Sequence, residues 1–139
     1  MADFKKGFKK VMIEEGLGIY TNIKGDNGGE TISGVARKMH PNWAGWALVD
    51  AAKKLPNFPA SLKINVKLQA LVELFYYNEF WLKVGGDKIK SDQIAIQLFD
   101  TAVNMGITTA IKLAQSSISM SQTGIYNVEF VNKLNEIIV

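Results

Sequence analysis

The sequence predicts a mainly α domain carrying one small lobe of glycine-rich irregular chain or β-hairpin. Three observations predict it. Apolar residues recur at helical spacing along most of the 139 residues. Six glycines (Gly16, Gly18, Gly25, Gly28, Gly29 and Gly34) crowd into residues 16–34. Nowhere does apolar–polar alternation persist as it would in a long half-buried strand.

Taken in order, the first element starts behind Asp3, a suitable N-cap. Phe4, Phe8, Val11 and Met12 form its apolar stripe, with Lys5, Lys6, Lys9 and Lys10 opposite, and Gly16 supplies the stop. Residues 16–34 add Asn22, Asp26 and Asn27 to the glycines, which is turn chemistry with room for a short hairpin. Short helical pieces are expected near Ser33–Met39. Pro41 must lie outside a helix or at its start. A helix from Trp43 to Lys54 should be ended by Pro56 and Pro59. The longest should run from about Ile64 to Leu82 on the stripe Leu68, Leu71, Val72, Phe75 and Phe80, with Gly85-Gly86 closing it. Ser91 caps the next, Asp92 to Asn104, with Ile94, Leu98, Ala102 and Met105 in spacing. Ile107 to Ser117 and Asn127 to Ile138 complete the set. No internal repeat or low-complexity run interrupts it.

Length and composition fit a single domain, 1–139, with a real core: 47% of residues are hydrophobic and 21% charged, too few charges for a disordered chain. The net charge of +3 suits an anionic polymer without requiring one. Nucleic acid is not expected as a partner, because the lysines are dispersed and Arg37 is the only arginine. The absence of cysteine excludes disulfides, thiolate zinc sites and thiol nucleophiles. No apolar run is long enough for a transmembrane helix, so no membrane insertion is expected. Met1 to Lys10 is basic and amphipathic and lacks the apolar stretch of a secretory signal. His40 is the single histidine, expected to be structural or exposed, which rules out a histidine triad and a multi-histidine metal site. No phosphate-binding or dinucleotide motif is present, and neither a cofactor nor a metal is expected.

Several side chains could carry chemistry. Glu15 closes the first helix, where the negative end of the helix dipole favours a protonated carboxyl, the state a general acid needs. It is either an inward carboxyl or, with Glu14, one of two solvent-facing glutamates; its spacing from Val11 and Met12 favours the inward reading. Asp26 and Glu30, in the glycine-rich segment, could hold a water or stabilise an oxocarbenium ion, while Asp26 could equally make an Asx turn with Asn27-Gly28. Thr31 could donate to Glu15 or cap the following turn. Asp100 and Asn104 stand one turn apart on a helix, where polar groups either line a cleft or bond a buried loop. Trp43, Trp46, Tyr76, Tyr77 and Trp81 are core aromatics or sugar platforms. Tyr20, in the glycine lobe, is the better wall residue.

These residues resemble glycoside hydrolase family 108, the N-acetylmuramidases once described as secretion activator proteins. Glu15-Gly16, Tyr20-Thr21-Asn22, Gly28-Gly29-Glu30-Thr31 and Gly34-Val35 stand where that family has its helix-ending glutamate and glycine turn. This chain has two extra residues, Leu17-Gly18, between Glu15 and Tyr20. Phe80-Trp81 matches an aromatic pair closing a long helix. Phe99 to Gly106 matches Phe-Asp-x-Ala-Val-Asn-x-Gly in full, and Ala114-Gln115 a following pair. Gly124-Ile125-Tyr126 to Ile137 loosely matches a segment described in the family as peptidoglycan-binding.

The resemblance implies a lysozyme-like, mainly α fold, with a catalytic part over about 1–106 and a C-terminal helical part over about 107–139. It implies hydrolysis of the β-1,4 bond between N-acetylmuramic acid and N-acetylglucosamine in peptidoglycan glycan strands. Glu15 would be the general acid, with Glu14 as the fallback and Asp26 or Glu30 as the second carboxylate. Tyr20, Asn22, Thr31, Trp81, Asp100 and Asn104 would bind sugar. A protein made in the cytoplasm without a signal would act on the wall after release or export, as a phage endolysin does. The alternative is a non-catalytic peptidoglycan-binding protein on the same scaffold.

Overall fold

The computed structural model describes residues 1–22 and 29–137. Asp26, expected as a second carboxylate, lies outside the described residues. In chain order the elements are α1 (Phe4–Glu15), β1 (Tyr20–Asn22), β2 (Glu30–Ile32), β3 (Val35–Ala36), α2 (Gly45–Ala52), α3 (Val66–Tyr76), α4 (Asp92–Met105), α5 (Ile107–Ser117) and α6 (Val128–Asn135). A 3-10 turn, Ala60–Ile64, precedes α3, and a π-helical turn, Tyr77–Trp81, continues it. Among the described residues no helix is long and apolar enough to cross a membrane.

The chain forms two compact units. One comprises Met12–Phe75 and holds the sheet, α2 and most of α3. The sheet is antiparallel in the order β1-β2-β3, pairing Tyr20 with Ile32, Thr21 with Thr31, Asn22 with Glu30, and Thr31 with Ala36. The helical pieces expected near Ser33–Met39 do not form: Val35–Ala36 is a strand. Ser33 and Gly34 both take left-handed backbone, at φ 51° and 82°, between the paired Ile32 and Val35. That is the two-residue hairpin turn whose twist matches paired strands. Ile32, Val35, Trp46, Val49, Leu62, Leu68 and Val72 are buried in this unit. His40 lies edge-on to Phe75, and the Trp46 indole donates to the His40 carbonyl at 2.9 Å.

The other unit comprises Met1–Val11 and the chain from Tyr76 onward. The Asp3 carboxylate accepts from Lys5 N at 2.9 Å, capping α1 as expected. Phe4 is the hub of its packing, with ring centroids 5.1 Å from Tyr77, 5.4 Å from Trp81 and 5.7 Å from Phe99. The expected single helix from Ile64 to Leu82 is thus three pieces. The π turn lets Trp81 turn inward, fully buried, and donate its indole N–H to Asp87 at 2.9 Å. The Tyr77 hydroxyl binds the other Asp87 oxygen. Ser91 and Asn127 cap α4 and α6 by accepting from Ile94 N and Phe130 N.

Candidate functional site

The candidate site is built on the junction of α1 with the β lobe. Glu15 is the last residue of α1 and is half-buried, whereas Glu14 is exposed. Of the two glutamates, Glu15 is the less exposed. The chain then turns sharply: Gly16 and Gly18 both have left-handed backbone, at φ 84° and 79°. Gly18 N donates to the buried Ser33 hydroxyl at 2.7 Å, and Ile19 N donates to Gly16 O at 3.0 Å. A Cβ on Gly18 would lie 2.8 Å from the Lys63 Cα, closer than any side chain could stand. Leu17-Gly18, the two residues that lengthen this stretch against the family pattern, therefore form a turn bonded to Ser33 in the β2–β3 hairpin turn and close against Lys63 of the 3-10 turn.

Glu30 lies on β2 at the centre of an ion cluster. Strand pairing places Thr31 against Ala36, and Arg37 N donates to Glu30 O at 2.9 Å, which brings the only arginine to the same edge. Arg37 Nη1 donates to Glu30 Oε1 at 2.9 Å and to Asp50 Oδ1 at 2.7 Å, and Nη2 donates to Asp50 Oδ2 at 2.8 Å. Lys53 Nζ pairs with Glu30 Oε2, and the Tyr20 hydroxyl donates to that same oxygen at 2.5 Å. Arg37 also lies over the Trp46 ring, 5.2 Å from its centroid. Burial pushes the Glu30 carboxyl up, but the hydrogen bonds from Lys53, Tyr20 and Arg37 outweigh it and hold the group below its ordinary value. The Arg37 guanidinium beside Asp50 lowers that carboxyl from 3.8 to about 2. Burial and the bond to Glu30 push the Tyr20 phenol up. The cluster balances two cations against two carboxylates.

The remaining candidates divide. Tyr20 is half-buried, edge-on to Phe58 with centroids 4.8 Å apart, and anchored by Glu30. Asn22 is exposed on β1. Thr31 bonds to the Thr21 hydroxyl opposite it. Trp81, expected to bind sugar, is corrected: with no exposure it offers no ring face, because the π turn drives it into the aromatic core. Asp100, in the other unit, is half-buried with Lys10 Nζ at 3.7 Å, and the exposed Asn104 donates to it at 3.4 Å. Arg37, Asp50 and Lys53 were not singled out as site residues; the rarity of arginine was the available sign. Among the described residues no cluster of histidine or carboxylates could hold a metal ion.

The model of glycosyl hydrolase 108 matches residues 8–106, which include Glu15, the β lobe and the Phe99–Gly106 motif. The structure of Brucella abortus SagA is similar at a TM-score of 0.61, covering 97% of this chain and 70% of that one at 23% identity, a likeness of fold. No match is found among curated proteins. The mainly α, lysozyme-like architecture with a small β lobe is as expected. With the match spanning most of its length, the chain belongs to the glycosyl hydrolase 108 family.

Proposed function

We propose that this protein is a peptidoglycan hydrolase of the N-acetylmuramidase type with Glu15 as its general acid. The observation that carries the reading is the placement of Glu15: a half-buried carboxyl at the end of α1, inside the stretch that matches the glycoside hydrolase family, followed by a fixed turn. In the reaction, the bond from the sugar C1 to the bridging oxygen breaks as Glu15 donates its proton to that oxygen. A water then supplies hydroxide to C1 and gives up its other proton to a base. Rigid support for the acid matters because misplacement by an ångström costs rate steeply.

The second carboxylate is Asp26 or Glu30. Glu30 is held ionised by Lys53, Tyr20 and Arg37, which suits it to keep the hairpin and Tyr20 in place or to stabilise developing positive charge. It is a poor proton acceptor, because its lone pairs are already occupied by cations. That leaves Asp26 as the preferred base. The same saturation of Glu30 favours a second reading, in which the protein binds glycan strands without cleaving them.

Reducing-end release from purified peptidoglycan, with mass spectrometry of the fragments, separates the readings. Wild type should release fragments ending in N-acetylmuramic acid, and Glu15→Gln should lose activity by about 100- to 10,000-fold while remaining folded. Undiminished activity in folded Glu15→Gln removes Glu15 as the acid. Binding without release by the wild type selects the second reading.

A further inference from the structure

In the Met12–Phe75 unit, Ile64 and Val66 are 80% and 76% exposed, among the highest values for its described large apolar side chains. They are not on a loose loop. They flank Asn65 at the junction of the 3-10 turn with α3, where Asn65 Oδ1 accepts from Leu68 N at 3.1 Å and Gln69 N donates to Asn65 O at 3.0 Å. The Gln69 amide donates to Lys63 O at 2.5 Å. The junction is thus fastened from within, and its two aliphatic side chains are held outward.

Along the chain, the charge on either side of this apolar strip has one sign. Between Asp50 and Glu73 the chain carries Lys53, Lys54, Lys63 and Lys67 and no carboxylate. Lys53 is engaged by Glu30, but Lys63 and Lys67, which bracket Ile64 and Val66, make no ion pair among the described residues. Two of the four lysines of α1 differ: Lys6 and Lys10 are paired with Asp92 and Asp100.

We infer that Lys63, Ile64, Val66 and Lys67 form a peripheral docking face for an anionic phospholipid membrane. An anionic polymer would need only the lysines, and a neutral apolar partner only the aliphatic groups. A bilayer interface offers both, with acyl chains beneath a negatively charged headgroup layer. The aliphatic side chains enter the acyl boundary while Lys63 and Lys67 stay at headgroup level. Because no described helix is long and apolar enough to span, the attachment is to the surface. The face is independent of the glycosidase reading, so each can fail without the other.

Vesicle flotation tests it, using the full chain with neutral phosphatidylcholine vesicles and with mixed phosphatidylcholine–phosphatidylglycerol vesicles. Wild type should float with the mixed vesicles and not with the neutral ones. Ile64→Ser/Val66→Ser and Lys63→Gln/Lys67→Gln should each bind about tenfold or more weakly. These residues are exposed, and circular dichroism with thermal melting confirms that both variants fold. Three results overturn the inference: no flotation of folded wild type, equal flotation with neutral vesicles, or undiminished binding by Ile64→Ser/Val66→Ser. Self-association in sedimentation that this last variant abolishes, without vesicle binding, assigns the face to a second copy of the chain instead.

Discussion

Glu30 takes two cations and a phenol on its two carboxylate oxygens, and its side chain is only 11% exposed. Removing its charge leaves Arg37 and Lys53 facing each other with Asp50 as their remaining carboxylate in the cluster, so Glu30→Gln should cost about 1–3 kcal/mol of stability at neutral pH. The sign of the pH dependence follows from the direction of the shifts. Both carboxyls are lowered in the folded protein, so their stabilisation is fully present above their ordinary values of 4.5 and 3.8. It is lost as the pH falls through the folded values, about 2 for Asp50. Thermal melting of wild type between about pH 5 and about pH 2 should therefore show a steeper fall in Tm than Glu30→Gln shows. Equal slopes would mean that the cluster does not hold Glu30 ionised. None of this was legible from sequence beyond the rarity of arginine, because Glu30, Arg37, Asp50 and Lys53 meet only when the hairpin and α2 come together.

At the scale of elements, the turn after α1 predicts two unequal glycine effects. Gly18→Ala forces a Cβ both into left-handed backbone and to within 2.8 Å of the Lys63 Cα, whereas Gly29, also left-handed at φ 62°, has nothing within 4 Å. Gly29→Ala should therefore cost about 1 kcal/mol, and Gly18→Ala about 2–4 kcal/mol. Denaturant melts of the two variants check this, and equal costs would show that the turn yields freely at Lys63. Ser91→Ala removes the cap of α4 and should cost about 1 kcal/mol by the same measurement. Such caps are why the helices were legible: α4 begins and α5 runs where Ser91 and the periodicity from Ile107 to Ser117 put them. The strands were legible only as room for a hairpin in the glycine-rich segment, not by their bounds or pairing. At two or three residues each they are too short to display alternation, and the pairing of Thr21 with Thr31 is written in no local signal. Val35–Ala36 sits in a sequence that reads as helical, and only the Ser33-Gly34 turn reverses it. The π turn was hidden for a related reason: an apolar stripe gives α-helical and π-helical register the same appearance over a single turn.

For the whole molecule, the relevant quantity is the net charge of +3 acting on an extended substrate. On the proposed peptidoglycan strands, whose peptide stems carry carboxylates, this excess speeds and strengthens encounter at low salt. At about 0.1 M ionic strength the screening length shrinks to about 10 Å, and contributions from lysines far from the bound strand fade. The chemical step at Glu15 depends on groups at close range and is screened far less. Raising salt from about 0.02 to about 0.5 M should therefore increase the apparent KM several-fold while changing kcat by less than about twofold. Steady-state assays on solubilised glycan strands read both terms. A fall in kcat at constant KM would instead place the salt-sensitive charge at the reacting bond.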